Sequence, residues 1–286
     1  MIKIAFDIGG TEIKSAVVSH GELEMYDKVP TPKNENQAIV KTVIQRLEVL
    51  SEAYQTTDIH VGISTAGAVN QAQKKIAYAN PNILNYTGTN FETYLKNKVQ
   101  QLHVYNDVDA ALLGELTQYE NFPDSIFCLT LGTGIGGSFY HKDFGLLSGA
   151  RHRPNQIGYL LYDPETGTDF EHRASTRALK HYLETQSYSH KDIPLLFEEA
   201  ETGNEKAQRL LINWGDEVAR GIAQVQLMYD PSEIIIGGGI SAQQERLLQY
   251  IVPNLGNYLP SGYGHATVRC ARLNNDAALI GAVSRL

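Results

Sequence analysis

Apolar and polar positions alternate along IKIAFDIGGTEIKSAVV on both sides of a Gly-Gly pair, the pattern of two strands joined by a tight turn. The same arrangement returns at IFCLTLGTGIGGSFY, residues 126–140: a buried apolar run, a Gly/Thr turn and a second strand. Setting Ile8-Gly9-Gly10-Thr11 against Leu131-Gly132-Thr133-Gly134 aligns the two, so the chain reads as an internal duplication. Between the repeats the period changes. IVKTVIQRLEVLSEA carries apolar residues at helical spacing, IHVGIST and HVYNDV read as strands, and VDAALLGELTQY as a helix begun by Asn or Asp. Further along, STRALKHYLETQ, IPLLFEEAETG and EKAQRLLINWGDEVARGIAQVQLMYD are helical, the last stopped at Pro231. SEIIIGGGIS is a buried strand ending in three glycines, and NNDAALIGAVSRL is a closing helix. Strands and helices alternate, which predicts α/β layers.

Composition narrows the class. A chain of 286 residues, 42% hydrophobic and 20% charged, is long enough for two domains sharing a cleft, and no low-complexity linker separates its halves. The formal net charge is -8, from 24 Lys+Arg against 32 Asp+Glu, with no basic block; this argues against a nucleic acid or an anionic membrane as partner. The two cysteines, Cys128 and Cys270, fall in expected strands and not at CxxC spacing, which points to a reducing compartment without a disulfide framework. Asp7 comes too early for a signal-peptide core. No run reaches the roughly 18 uncharged apolar residues of a membrane helix. The expectation is a soluble, cytoplasmic protein.

Three glycine-rich turns carry the first candidate chemistry: Gly9-Gly10-Thr11, Gly132-Thr133-Gly134 with Gly136-Gly137, and Gly237-Gly238-Gly239, each after an apolar strand. Without a Cβ, successive backbone N–H groups converge on an anion and Thr hydroxyls add donors, so phosphate is held without the lysine of a P-loop. A single such turn reads equally as a tight hairpin that needs positive φ. Two duplicated turns and a third fit a nucleotide held between two halves, one turn at each end of the polyphosphate and the third beside the adenosine. Asp7 reads either as a carboxylate holding Mg2+ through water or as an Asx-turn residue that closes the hairpin. Lys14 either leans toward phosphate or is an outward residue of an alternating strand. Asn106-Asp107 ends the strand LHVY and precedes a helix. One reading is an N-cap, with Asp107 or Asp109 accepting backbone N–H bonds. The other makes Asp107 a general base that orients a hydroxyl for attack on a γ-phosphoryl group, a role worth roughly 10²- to 10⁴-fold in rate.

DIGGTEIK, GISTAGAV, ANPNIL, YNDVDAALLGE, LGTGIGG, FEHRAS and IIIGGGIS together resemble, in order and approximate spacing, the ROK family of sugar kinases and sugar-responsive repressors, a branch of the actin/hexokinase ATPase superfamily. The resemblance covers essentially the whole chain. It implies a two-domain actin-like ATPase fold of the ribonuclease H-like type, with duplicated α/β domains around a central cleft that holds ATP and sugar. The expected domains are 1–117, with the helix of 275–286 packing back on it, and 118–274. It further implies that Gly9, Gly10 and Thr11, with Thr133 and Gly134, bind ATP phosphates, and that Gly238 and Gly239 lie near the nucleoside; Lys14 stays a phosphate candidate from the residue reading alone. Asn106 and Asp107 are expected to bind the sugar, with Asp107 as catalytic base, and Gly67 and Asn82 to flank the sugar pocket. A homodimer is the family-level expectation.

The polar stretch RHRPNQIGYLLYDPETGTDFEHRAS, residues 151–175, departs from the family. There the family usually reads Glu-x-Gly-His followed by a Cys-rich loop that holds a structural zinc. This chain has Gln156-Ile157-Gly158-Tyr159, a shorter connection and Asp169-Phe170-Glu171. Zinc needs four N or S ligands, and His152 and His172 lack the spacing or companions to supply them, so no zinc is expected. Both read as surface loop histidines, with packing of Leu160, Leu161 and Phe170 tying the loop. Glu171 matches the family's second sugar-binding carboxylate, Gln156 replaces the first, and Tyr159 replaces the zinc-held His. The resulting expectation is an ATP- and Mg2+-dependent kinase for the 6-hydroxyl of a hexose or N-acetylhexosamine, with N-acetylmannosamine favoured. A β-glucoside kinase, glucokinase or fructokinase is the alternative within the family. The rivals from another class are a repressor, which needs a winged helix before a core whose first strand begins at residue 2 here, and a non-catalytic sugar sensor.

Overall fold

The computed structural model describes residues 1–79 and 83–286; Asn82 lies outside the described residues. The chain forms two compact units, one of residues 1–121, 148–154 and 275–286, the other of residues 122–147 and 155–274.

In the first unit, strands β1 (Ile2–Ile8), β2 (Glu12–Ser19) and β3 (Glu22–Pro30) form an antiparallel meander. Helix α1 (Ala38–Tyr54) then leads to β4 (Ile59–Thr65). A small hairpin of β5 (Ala68–Asn70) and β6 (Lys75–Tyr78) and the short helix α2 (Phe91–Leu95) follow. The chain returns through β7 (Gln101–Asn106) into α3 (Asp107–Leu116). The sheet order is β3-β2-β1-β4-β7, with β4 parallel to both β1 and β7. β1 is apolar at nearly every position because both faces of the sheet are covered. Ile4, Phe6 and Ile8 point into a core with Ile39, Val43, Leu47 and Leu50 of α1. Ala5 points to the opposite face, where Leu279 and Val283 of the closing helix Ala277–Val283 pack against it. Strand alternation puts Asp7 on that second face.

The second unit repeats the plan. Strands β8 (Ser125–Leu131), β9 (Ile135–His141) and β10 (Gly145–Leu146) are antiparallel neighbours. Helices α4 (Phe170–Ala174), α5 (Thr176–Thr185), α6 (Ile193–Glu201) and α7 (Glu205–Tyr229) precede β11 (Glu233–Gly237). Helix α8 (Glu245–Ile251) leads to β12 (Thr267–Cys270). The order is β10-β9-β8-β11-β12, with β8, β11 and β12 parallel. Both sheets therefore carry their strands in the order third, second, first, fourth, fifth, and the duplication read from the glycine turns is a duplication of topology. Cys128 and Cys270 are free and buried, in β8 and β12. Among the described residues no helix is long and apolar enough to cross a membrane.

Two expectations need correction. The strand read through HVYNDV stops at Asn106, because that residue caps α3 and turns the chain. The edge strand β3 was not signalled, since most of its positions face solvent and ELEMYDKVP has no apolar alternation to show.

Helices α3 and Ala277–Val283 touch backbone to backbone. A Cβ at Gly281 would lie 1.8 Å from the Ala110 carbonyl oxygen, and one at Gly114 would lie 2.1 Å from that of Ala277. Alanine is about 1 kcal/mol better than glycine inside a helix, whereas overpacking a filled contact costs about 1–3 kcal/mol. Backbone cannot move aside as a side-chain tip does, so the clash wins. G281A is expected to lower unfolding stability by about 1–2 kcal/mol, read as a lower urea midpoint at unchanged slope.

Candidate active site

The first unit gathers its polar residues where β1, β4 and β7 end. Asp7 is in register with Lys14 on one side and Ser64 on the other. Its Oδ2 accepts Lys14 Nζ at 3.1 Å and its Oδ1 accepts Ser64 Oγ at 2.8 Å. Asp7 is thus no Asx-turn residue: its carboxylate is tied across three strands. Lys14 shares its face and is paired with it. The hairpin between β1 and β2 is closed by Gly9 N–H donating to the Glu12 carbonyl. Gly10 and Thr11 are exposed there, and a Cβ on Gly10 would meet nothing within 4 Å.

Asn106 decides where β7 ends. Its Oδ1 accepts the N–H groups of Val108 and Asp109, and its Nδ2 donates to the Gly67 carbonyl at 2.9 Å and to Asp107 Oδ1 at 2.7 Å. The N-cap is therefore Asn106 itself, not Asp107 or Asp109, because the cap must precede the first helical residue. All four of its hydrogen-bonding capacities are used within the chain. Asp107, at the first position of α3, also accepts Val108 N–H at 3.0 Å. Its side chain is reachable by solvent, yet protein surrounds it closely enough for desolvation to dominate its titration. Desolvation first, and then the negative charge of Asp7, push it up to about 6 against the pull of the Val108 and Asn106 bonds. Those causes are independent of any ligand.

In the second unit the turn after β8 is closed by Gly132 N–H donating to the Gly134 carbonyl, with Thr133 exposed at its tip. β11 lies parallel beside β8, and Gly238, at φ 87°, sits so close that a Cβ would come within 2.4 Å of the Leu131 carbonyl oxygen. The second and third glycine turns are therefore neighbours, and Gly239 next to them faces open space. Glu171 joins them. Its Oε2 accepts Ile135 N–H at 2.8 Å and its Oε1 accepts Arg177 Nη2 at 3.0 Å. Gly158 also lies against this carboxylate, which puts the exposed Gln156 and Tyr159 beside it.

Within the 151–175 stretch, one guanidinium gathers three partners. Arg173 donates through Nε to Glu217 of α7, through Nη1 to Thr168 Oγ1 and through Nη2 to the Leu161 carbonyl. Phe170 is buried on Gly221 of α7, and Leu160 packs on the same core. Leu161 contributes its carbonyl and is absent from that core, which corrects the packing expected of it. Asp169 caps α4 by accepting His172 N–H and also meets His172 Nδ1 at 2.7 Å. Among the described residues, no group of three or more His, Cys, Asp or Glu is placed to hold a metal ion.

Sequence reading missed Ser64, Arg173 and Arg177. Ser64 had a faint signal, a polar residue at the end of the apolar strand IHVGIST. The two arginines had none, because their partners lie at Leu161, Thr168, Glu217 and Glu171 and only folding brings them together.

Two sheets of one strand order, each with a glycine turn after its first strand, define a duplicated α/β fold of the actin-like ATPase class. The chain belongs to the ROK family, whose family model matches residues 3–285. It is 29% identical to an N-acetylmannosamine kinase of Haemophilus influenzae over 98% of this chain and 93% of that one. It is 26% identical to a β-glucoside kinase of Listeria monocytogenes over 98% and 95%. Among solved structures, the ROK family glucokinase of Streptomyces griseus in complex with glucose and AMPPNP superposes with a TM-score of 0.79 at 28% identity, covering 99% of this chain and 98% of that one.

Two outcomes follow from the geometry. Arg173→Ala should cost about 1.5–3 kcal/mol, the range for bonds to a charged group, and open residues 160–168 to proteolysis; Arg173→Lys should not restore either, since an ammonium lacks the planar fork. For Asp107 the folded pKa lies above the ordinary 3.8, so the folded chain holds the extra proton between that value and about 6. Stability contributed by this group is lost as pH rises through that window. D107N should therefore melt above wild type at pH 7, with the gap closing toward pH 4.

Proposed function

We propose that this chain is an ATP-dependent sugar kinase that phosphorylates the 6-hydroxyl of a hexose or N-acetylhexosamine, with N-acetylmannosamine the favoured acceptor. The observation that carries the reading is Asp107: a solvent-reachable carboxylate fixed at the first position of α3, oriented by Asn106 and poised near neutral pH. A base of that pKa accepts the proton of an attacking hydroxyl without being trapped in either state. The relatives named above act on sugars, and the Streptomyces griseus enzyme was solved with AMPPNP, which supports ATP as donor.

Within this reading the exposed turn residues Gly9, Gly10, Thr11, Thr133 and Gly134 receive the phosphates, and Gly238 and Gly239 border the nucleoside. Asp7 would hold Mg2+ through water. The like-charge effect of Asp7 on Asp107 fits that use, because a divalent cation nearby would relieve it. When bound, the ion supplies positive charge to the polyphosphate oxygens. Asn106 serves by aiming Asp107, and any direct bond to sugar would displace one it already makes. Gln156, Tyr159 and Glu171 are assigned to the acceptor, and so is Gly67, whose carbonyl Asn106 holds. The reading includes no zinc, and the bonds of Arg173 to Leu161, Thr168 and Glu217 support it. A homodimer in the cytoplasm belongs to the same reading.

A second reading within the class rests on Tyr159. At 72% exposed it presents an aromatic face of the kind that covers the aglycone of a β-glucoside.

The test is ADP release coupled to a chromogenic readout over glucose, fructose, mannose, N-acetylglucosamine, N-acetylmannosamine and cellobiose. Turnover of N-acetylmannosamine supports the first acceptor and of cellobiose the second; sugar binding without turnover of any would leave a sensor and sink the kinase. D107N should keep sugar binding while losing turnover by about 10²-fold or more. In the wild type, kcat/KM should fall tenfold per pH unit below about 6 as Asp107 gains its proton.

A further inference from the structure

The turn at Gly132-Thr133-Gly134 has an electrostatic problem. Residues 125–140 contain no Lys or Arg, yet a carboxylate lies on the turn. Glu171 Oε2 accepts the N–H of Ile135, directly after Gly134, and stands 2.7 Å from the point a Cβ on Gly134 would occupy. Gly134 thus leaves room for a negative charge at the place where polyphosphate is to be received. An anion settling there would meet Glu171 at short range, in a setting where only part of the field is screened by water.

Arg177 answers this charge. Its Nη2 reaches Glu171 Oε1 at 3.0 Å, on the oxygen that Ile135 does not use. The residue before it, Thr176, donates its N–H to the Gly132 carbonyl, so the backbone carrying Arg177 is anchored to the same turn. Arg177 is 62% exposed and Glu171 30%. A pair so exposed adds little to stability, which leaves its effect on the local potential as its main consequence.

We propose that Arg177 is a positioning residue for the nucleotide: by neutralising Glu171 it makes the 132–135 turn a seat for polyphosphate. The carboxylate keeps its bond to Ile135 and so holds the turn in shape, while the guanidinium removes the repulsion that this bond would otherwise bring. The proposal rests on the kinase reading only in taking the turn as a nucleotide phosphate site.

The experiment is calorimetric titration of the full-length protein with Mg-AMPPNP in the absence of sugar. R177A should weaken binding roughly tenfold at low salt, and the loss should shrink at high salt, where short-range charge effects are screened. R177K should recover part of it. E171Q keeps an acceptor for Ile135 N–H and should bind at least as well as wild type. The decisive variant is the double mutant E171Q/R177A, which should return to the affinity of E171Q, since without the carboxylate no counter-charge is needed. A double mutant as weak as R177A would overturn the proposal, making Arg177 a direct phosphate ligand or a purely structural residue; so would an R177A within twofold of wild type. If the variants follow the expected pattern but no sugar is phosphorylated, the kinase reading fails and this one stands. If R177A binds normally while sugar is phosphorylated, the reverse holds. No binding of AMPPNP by the wild type would end both.

Discussion

The side-chain amide of Asn106 is committed at both ends, and much of the first unit's chemistry follows from it. Its oxygen takes the first free N–H groups of α3, and its nitrogen holds the Gly67 carbonyl and the Asp107 carboxylate. The strand must therefore stop at residue 106, the helix must start at 107, and the first helical side chain is the acid. Capping residues commonly contribute about 1 kcal/mol. Here the same amide also holds the Asp107 carboxylate in place, where burial and the charge of Asp7 raise its proton affinity against the pull of that bond. The helix that begins there is held by backbone contact with the closing helix, which leaves α3 little freedom to shift along its axis.

How much of this was legible depends on the range of the interaction involved. β1, β8 and β11 are buried on both faces, so their apolar runs and the glycines after them stood out, and the duplicated strand order was implicit in two aligned turns. The chain from DIGGT to IIIGGG also carried enough motif to place it in the ROK family. β3 gave no pattern because it lies at a sheet edge in solvent. The cap was left between Asn and Asp, with Asp107 or Asp109 as its acceptor, since the two are nearly equal capping residues and the sequence alone does not say which one turns the chain. Asp7 was ambiguous for a related reason: what separates a turn residue from a cross-strand acceptor is Ser64, 57 positions away, and pairing register is not written locally.

The 151–175 stretch shows the same limit from the other side. The departure from the family's pattern is plain in the sequence, but the tie across residues 161–168 is not, because it is one arginine reaching three partners. A zinc ion draws its ligands together by strong directional bonds; a guanidinium does so by a planar fork whose donors are fixed relative to one another. Arg173 spans the Leu161 carbonyl, the Thr168 hydroxyl and Glu217, tying residues 161–168 to α7. Such a tie depends neither on metal supply nor on thiol chemistry.

The shorter loop has a consequence for the carboxylate that ends it. Glu171 begins the turn of helix that Asp169 caps and Phe170 anchors on Gly221, so its position is set by the core of the second unit and not by a ligand. From there it reaches Ile135 in one direction and Arg177 in the other, while Gly158 brings the Gln156–Tyr159 turn onto its flank. A single carboxylate is thus shared by the element expected to meet phosphate and the element expected to meet sugar. Moving it toward either would strain the other, because Gly134 and Gly158 both approach it without a side chain to give way.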